Sequence, residues 1–484
     1  MKKIPIAILA LAVLALIVVF GAIPFYVGTQ VEKELAGKSF YFKGYDLALE
    51  VTSVRGGLRS SAVEFDLKIY NPQAAALTPY PARDEKGSYL TLKGKGVIHH
   101  GPVAFGWPII TPFVAGGEAG LRFPDDVDPK IKDTIQYFFG DQPPITISAK
   151  IGLDDAINIR LSVPDYNGPL PENAPGTLQW GGLNARFDIA QGGENYSMAG
   201  EAPVIRIAVP DGEFLATNIQ VSGNSTKAGP YVWLGSSTFS IGSLSGKAGE
   251  ENFQLEDFVY SVGLSENGGT LEIALKIGMR KGGGKDFSIK PSGLELKLKG
   301  IDRAVFEDML KKIQELNQKV TDPAQLPILM LMTVPQYGLK FLENPPRLEL
   351  TGLTIDTNHG KLHITGAIEP AWMDASRRPS LSNLVAGTKA HLSLNLSKSL
   401  VEEVLKRQLR QSLRAQAKNR GRTLKKSEEE KMINNAIKMQ TSAVLQQKFI
   451  VEKGDNYTSD WNLEQGVLKV NGQDRTALLR MILR

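Results

Sequence analysis

The sequence predicts a mainly β protein of the α+β class: an N-terminal transmembrane helix, then a large, curved antiparallel β-meander with inserted amphipathic helices. Three observations support this class. A charge-free apolar run opens the chain, most of the remainder alternates apolar and polar residues, and three later stretches repeat apolar residues every three or four positions. Alternation places successive side chains on opposite faces of a strand, whereas the longer spacing is that of a helix face.

The apolar run extends from Ile4 to Val27 and follows Lys2 and Lys3. As a helix rising 1.5 Å per residue it spans about 36 Å, enough to cross a hydrocarbon core of about 30 Å. A cleaved signal peptide is the alternative, but its apolar core is only about 7–15 residues long. The two lysines favour a cytoplasmic N-terminus. We therefore expect an uncleaved, single-pass signal anchor in the inner membrane, with the bulk of the chain outside, which in a Gram-negative bacterium is the periplasm.

Amphipathic strands are predicted along most of the chain after the anchor. The alternation is clearest in 63–69, 145–151, 157–163, 271–277, 294–298 and 392–396. Glycine-containing turns separate these runs, so antiparallel neighbours joined by short connections are expected. Such a meander covers its apolar face by folding over on itself, by packing helices or by holding a ligand, and the sequence leaves these three alternatives open.

Three stretches are predicted to be helices, at 301–320, 399–417 and 427–445. The last two each begin with a serine followed three residues later by a glutamate, the spacing of a capping box, and they are expected to form a helical hairpin. The predicted regions are 1–28 (cytoplasmic tip and anchor), 29–300 (β-rich periplasmic region), 301–345 (helical insertion), 346–398 (β-hairpin region), 399–448 (basic helical hairpin) and 449–484 (C-terminal β-hairpin).

The composition argues against several kinds of chemistry. The 484 residues include no cysteine, which removes disulfides, thiolate zinc sites and cysteine nucleophiles. Histidine occurs only five times and no metalloprotease motif is present, so neither a metal nor a cofactor is predicted. A net charge of +5 is too small to indicate a nucleic-acid partner. We expect a protein that is not an enzyme, with an envelope hydrolase using dispersed carboxylates or a serine as a minor alternative.

The most pronounced charge feature is a basic run from Lys398 to Lys426. Its candidate contacts to an anionic lipid or partner are Lys406, Arg407, Arg410, Arg414, Lys418, Arg420, Arg422, Lys425 and Lys426. Clustered cations near a membrane attract anionic headgroups. The alternative is a solvated helix face and loop, in which the acidic residues 428–430 pair with part of the run.

Three motifs occur in a fixed order behind the anchor. The first, in 49–62, contains Arg55, Gly56 and Ser60; the second, in 346–360, ends at Gly360; and the third, in 454–472, contains Gly466, Asn471 and Gly472. Together they resemble the YdgA-like family of uncharacterised, inner-membrane-anchored periplasmic proteins of proteobacteria. The resemblance implies an envelope location and, from one described member, self-association, and it brings no catalytic residue to this chain.

Two functions follow from these observations. The first is a non-enzymatic, inner-membrane-anchored periplasmic envelope protein that binds or shields lipid along an apolar β trough, with the basic run near anionic headgroups. The alternative is a structural scaffold that has no lipid ligand and self-associates as a homodimer through unpaired strand edges. The sequence does not separate the two.

Overall fold

The structure is a computed structural model that describes residues 37, 39–42, 47–55, 60–70, 82–84, 87–100, 103–106, 109–112, 115–124, 127–152, 154–171, 174–285, 287–319, 336–338, 340–372, 381–419 and 426–482. The chain divides into two compact units. The first unit comprises Met1–Glu250 and Ala304–Tyr337, and the second comprises Glu251–Arg303 and Gly338–Arg484.

Sixteen strands of the first unit are described. They are β1 (Ser39–Phe42), β2 (Leu47–Arg55), β3 (Ser60–Ile69), β4 (Ala82–Asp84), β5 (Gly87–His100), β6 (Val103–Gly106), β7 (Ile109–Pro112), β8 (Ala115–Arg122), β9 (Ile145–Ile151), β10 (Ile157–Val163), β11 (Tyr166–Pro169), β12 (Thr177–Trp180), β13 (Leu183–Ile189), β14 (Asn195–Val209), β15 (Gly212–Lys227) and β16 (Trp233–Ala248). Antiparallel pairs link β1, β2, β3, β5, β8, β9, β10, β13, β14, β15 and β16 in that order.

The second unit is built in the same way. Its strands are β17 (Glu251–Asn267), β18 (Thr270–Met279), β19 (Lys281–Gly284), β20 (Phe287–Ile289), β21 (Ser292–Asp302), β22 (Arg347–Thr357), β23 (Gly360–Glu369), β24 (Lys389–Ser397), β25 (Val451–Lys453), β26 (Asn456–Glu464), β27 (Val467–Val470) and β28 (Gln473–Asp474). Antiparallel pairs run β17–β18–β21–β22–β23–β24–β26, and β25 and β27 share the far edge of β26. The predicted mainly β, antiparallel architecture is confirmed.

Six α-helices are described, and they are α1 (Pro129–Phe139), α2 (Arg303–Lys319), α3 (Leu381–Gly387), α4 (Lys398–Asn419), α5 (Lys426–Gln446) and α6 (Thr476–Ile482). The two helices predicted at 399–417 and 427–445 correspond to α4 and α5. The helix predicted to start at residue 301 begins two residues later. Ile301 instead lies near the end of β21, where it pairs with Leu271 and is 3% exposed, because a bulge beside Gly300 (φ +74°) turns it to the apolar face.

The hairpin β9–β10 shows how the alternating pattern becomes structure. Ile151 pairs with Ile157, and the intervening turn closes through a 2.8 Å hydrogen bond from the Gly152 amide to the Ala156 carbonyl. Asp155 lies there at φ +59°, a conformation that aspartate tolerates better than most residues. With the register fixed in this way, Leu161 points into the core while Arg160 and Ser162 point to the opposite face.

The apolar face of the first unit forms a buried core from β2 to β14. Leu67, Leu90, Leu92 and Ile145 are each 0% exposed, and they belong to one cluster that extends from β2 to β14. The cluster is lined by residues that alternate along each strand, as predicted for 63–69, 145–151 and 157–163. Burying a leucine side chain contributes about 1.5–3 kcal/mol, so this face supplies much of the stability of the unit.

Within the described residues, no helix has both the length and the apolar character needed to cross a membrane. The predicted anchor at 4–27 lies outside the described residues.

Candidate functional site

Three apolar rows run across the strands of the second unit. The first row is Tyr260, Ile277, Leu294, Leu353, Ile364 and Leu394. The second row is Val262, Leu275, Leu296, Leu350, Gly366, Leu392 and Trp461. The third row is Leu264, Ile273, Leu298, Leu348, Ile368, Ala390 and Leu463. Directly paired residues share a sheet face, so the rows form one surface, which we call the second-unit apolar face.

A β-bulge keeps this face continuous. In β22, Leu348 and Leu350 occupy even-numbered positions, whereas Leu353 and Ile355 occupy odd-numbered ones. In a regular strand the two pairs would therefore point to opposite faces. The register shifts between Leu350 and Leu353 on both neighbouring strands, so all four side chains point to the same side. Gly352 lies inside the irregularity, consistent with the role of glycine at bulges.

The second-unit apolar face is only partly buried. Tyr260, Ile368 and Leu392 are 39%, 44% and 39% exposed, and no side chain in the three rows is fully buried. This contrasts with the first unit, where equivalent alternating leucines are completely enclosed. The same sequence pattern thus gives a closed core in one unit and a half-exposed surface in the other.

The dimensions of this face suit an extended apolar ligand. Seven strands spaced about 4.8 Å apart span roughly 29 Å, and rows two residues apart are separated by about 7 Å. The rows therefore have a footprint of roughly 400 Å² on the sheet, of which only part is exposed apolar surface. An acyl chain spans one leaflet, about half of a hydrocarbon core of about 30 Å, so the face is long enough to accommodate it.

An aromatic pair borders one end of the face. Trp461 stacks on Phe449, with ring centroids 5.9 Å apart and an interplanar angle of 12°. The Trp461 Nε1–H donates to Ser459 Oγ at 2.7 Å, and the Arg475 guanidinium lies 5.2 Å from the Phe449 ring centroid. The border thus combines apolar rings with a cation, an arrangement typical of groups at an apolar–polar boundary.

Four of the predicted basic residues, Lys406, Arg407, Arg410 and Arg414, have described side chains, and all four lie on α4 within 4 Å of an acid. Arg407 Nε donates to Glu403 at 2.7 Å, and Arg414 Nε lies 2.9 Å from the buried Glu429 carboxylate. Arg410 lies 3.9 Å from the same carboxylate. These ion pairs support the alternative in which acidic residues neutralise part of the basic run. Contact between these three cations and an anionic partner stays a prediction.

The other predicted basic residues are less constrained. Lys406 lies 3.9 Å from Glu402, a loose pair on the exposed side of α4. Lys418 lies in the last turn of α4, and Lys426 is the first residue of α5. Arg420, Arg422 and Lys425 lie outside the described residues.

Sequence inspection missed two exposed methionines on the same hairpin. Met432 and Met439 are 47% and 72% exposed. They are seven residues apart, which places them on one side of α5, and this spacing was the available signal. Exposed apolar side chains beside lysines are typical of a helix that lies on a membrane surface.

Comparison with known proteins places this two-unit architecture in a family. The family model described as "Bacterial protein of unknown function (DUF945)" matches residues 1–476. The chain belongs to this family. Comparisons with curated proteins and with solved structures found no match. The bacterial, uncharacterised family expected from the resemblance is therefore confirmed at that level, and the DUF945 match includes all three motifs.

The first of the three sequence motifs lies at the connection between β2 and β3. Arg55 is the last residue of β2, exposed and opposite Ala62. Ser60 is the first residue of β3 and pairs with His99. Gly56 lies outside the described residues, so a role for the motif as a site stays untested.

The second motif ends in a glycine with a steric requirement. Gly360 begins β23 at φ +139°, and a Cβ placed on it would lie 2.5 Å from Ser397 Cβ. Ser397 Oγ accepts a hydrogen bond from the Lys361 amide at 3.0 Å, which holds β24 against this corner. The motif glycine therefore permits close strand packing rather than chemistry.

The third motif contains a clamp. Asn471 adopts φ +49°; its Oδ1 accepts from the Asp460 amide at 2.9 Å, and its Nδ2 donates to the carbonyls of Lys448 and Phe449 at 3.0 and 3.1 Å. These bonds join β26 to the segment that follows α5. Gly466 and Gly472, at φ +73° and +76°, form the adjacent turns.

Proposed function

We propose that this chain is a non-enzymatic bacterial envelope protein that binds or shields lipid acyl chains on the second-unit apolar face. The observation that carries the proposal is the partial burial of three continuous apolar rows, with Ile368 and Leu392 at 44% and 39% exposure. An apolar surface of this size is costly in water, at about 25 cal/mol per Å². Covering it with acyl chains removes that cost without requiring a directional polar contact.

The proposed location is the inner membrane, with the N-terminus cytoplasmic and both units in the periplasm. The support is the sequence pattern, in which Lys2 and Lys3 precede the apolar run at 4–27. We assign the finer family identity, YdgA-like, on the three ordered motifs. The α4–α5 hairpin then supplies a membrane contact, because its exposed methionines lie on a helix that also carries Lys431 and Lys438.

Lipid retention by the full chain tests this proposal. The chain is purified in a mild detergent, and its lipids are extracted and quantified by mass spectrometry. In the double variant Ile368→Lys, Leu392→Lys, two ammonium groups replace half-exposed apolar side chains, so we expect the bound lipid per chain to fall at least twofold. The matched control is His391→Lys, Asn395→Lys, which adds the same charge to exposed positions on the opposite face of β24.

The control separates the proposed face from lipid held around the anchor. Lipid around the anchor is the same in both variants, so only the difference between them reports on the face. Equal lipid retention would exclude the face as a lipid site. A loss of dimer in the first variant with unchanged lipid would instead favour the self-associating scaffold.

A further inference from the structure

The opposite, polar face of the first-unit sheet forms a concave trough of about 880 Å³, a volume within the range of small-molecule sites. The trough crosses β8, β9, β10, β13, β14, β15 and β16. Its lining includes hydroxyl and amide side chains from Thr146, Ser148, Ser162, Asn184, Gln220, Ser222, Thr238 and Ser240. No aromatic side chain is among the described lining residues, so a ligand here is recognised by hydrogen bonds and charge rather than by ring stacking.

Two arginines face each other in the middle of the trough. Arg160 on β10 pairs directly with Arg186 on β13, an arrangement that is unfavourable for like charges. Arg186 is neutralised by Asp188, whose carboxylate lies 2.7 Å from its Nε and also accepts a hydrogen bond from Asn158. The Arg160 guanidinium makes no hydrogen bond and no ion pair to any part of the chain that the structure describes.

The groups around Arg160 are arranged for a ligand that is both anionic and rich in hydroxyls. Ser148 lies directly opposite Arg160 on β9, and Ser162 follows it on the same face of β10. Glu118 lies in register with Arg160 two strands away, or about 9.6 Å at ordinary strand spacing. Glu201 lies two strands to the other side, in register with Ser162 rather than with Arg160. A guanidinium binds phosphate or carboxylate through paired hydrogen bonds, and flanking carboxylates and amides accept from hydroxyl groups.

We propose that this polar trough binds an acidic saccharide, a sugar bearing a phosphate or a carboxylate, with Arg160 holding the anionic group and the flanking side chains holding the sugar hydroxyls. The site is independent of the second-unit apolar face and goes beyond the proposed lipid binding. Phosphate and carboxylate share the chemistry that Arg160 recognises, so the probes must include both.

Calorimetric titration of the purified full chain tests the proposal. The probes are glucose 1-phosphate, glucuronate, glucose and inorganic phosphate. We expect one of the two acidic sugars to bind at least tenfold more tightly than either glucose or phosphate. Only an acidic sugar can contact Arg160 through its anionic group and the flanking side chains through its hydroxyls. Arg160→Ala should weaken that binding at least tenfold, and Arg160→Lys should retain part of it, since lysine keeps the charge without the paired geometry.

Arg206→Ala is the matched control, since Arg206 is an exposed arginine on β14 that pairs with Glu213 and does not line the trough. It should leave binding unchanged. Three results would overturn the proposal: no binding of either acidic sugar at millimolar concentration, binding of inorganic phosphate as tight as that of glucose 1-phosphate, or unaltered binding by both Arg160 variants. Because the variants lie in the first unit, failure here is distinguishable from failure of lipid retention.

Discussion

At the scale of single residues, the motifs carried by this DUF945 chain are explained by backbone geometry. Asn471 and Gly360 both adopt positive φ, and each joins parts of the second unit that are distant in sequence. Neither has a contact that suggests chemistry. Their roles are tested by substitutions that separate the backbone requirement from the side-chain bonds.

Replacing Asn471 should destabilise the second unit through lost hydrogen bonds. Asn471→Gly keeps the freedom to adopt φ +49° but removes the three side-chain hydrogen bonds to Asp460, Lys448 and Phe449. We therefore expect the free energy of unfolding to fall by about 1–3 kcal/mol. Asn471→Ala should cost about 1 kcal/mol more, because alanine is strained at positive φ. Thermal unfolding measures both, with exposed Asn462→Ala as the control; equal stability of Asn471→Gly and wild type would contradict the clamp.

Gly360→Ala should also destabilise the chain, by more than about 1 kcal/mol. The new Cβ would meet Ser397 at 2.5 Å and the backbone is at φ +139°, so the β23–β24 corner must shift. The matched control is Gly352→Ala in the neighbouring strand, where the nearest atom to a new Cβ is His363 Cε1 at 3.8 Å. Denaturant midpoints of the two variants should differ, and identical midpoints would rule out the steric role.

At the scale of elements, strands in which apolar and polar residues alternate without interruption could be predicted from the sequence. The strands at 145–151 and 157–163 match β9 and β10 to the residue. The predicted start of the first helix at residue 301 was wrong, because the bulge beside Gly300 depends on pairing with β18. The ion pair between Arg414 and Glu429 agrees with the alternative in which residues 428–430 pair with part of the basic run.

The α4 helix should lose stability in acid. The hydrogen bond from Arg407 holds the pKa of Glu403 below its ordinary value of 4.5, although desolvation opposes the shift. A depressed folded-state pKa stabilises the fold above the unfolded pKa, and this contribution is lost as pH falls through the folded value. Glu403→Gln should therefore cost about 0.5 kcal/mol at pH 7, and this cost should shrink as the pH falls below 4.5.

The measurement is the thermal midpoint of the wild type and Glu403→Gln across this pH range. Glu402→Gln is the control, because Glu402 is 52% exposed and lies 3.9 Å from Lys406. A difference in thermal midpoint between wild type and Glu403→Gln that stays constant with pH would contradict the stabilising role of the Glu403–Arg407 pair.

At the scale of the whole molecule, strands with the same alternating pattern differ between the two units in how far their apolar face is buried. Leu67 and Leu275 occupy similar alternating runs, yet Leu67 is 0% exposed and Leu275 is only half-buried. The pattern specifies which side chains share a face, whereas coverage of that face depends on what packs over it. The polar trough was missed for a related reason, since serines and threonines on the polar side of a strand look solvent-facing until the sheet curves around them.

This difference predicts that leucine-to-alanine substitutions destabilise the two units unequally. Leu92→Ala removes a side chain that is 0% exposed, so we expect the free energy of unfolding to fall by about 2–5 kcal/mol. Leu392→Ala removes one that is 39% exposed, so the loss should stay below about 1 kcal/mol in lipid-free protein. Urea midpoints of the full-length variants provide the comparison. Equal losses would mean that the second-unit apolar face is a closed core.

The most direct test of the central claim is site-specific photo-crosslinking in living cells. A benzophenone amino acid is placed at Leu392, on the second-unit apolar face, or at His391, the adjacent exposed position on the opposite face. After irradiation, the intact mass of the full chain identifies what each position touches. Lipid bound on this face predicts adducts of phospholipid mass from position 392 and none from position 391. Equal lipid adducts at both positions, or a chain-to-chain adduct in place of lipid at position 392, would contradict it.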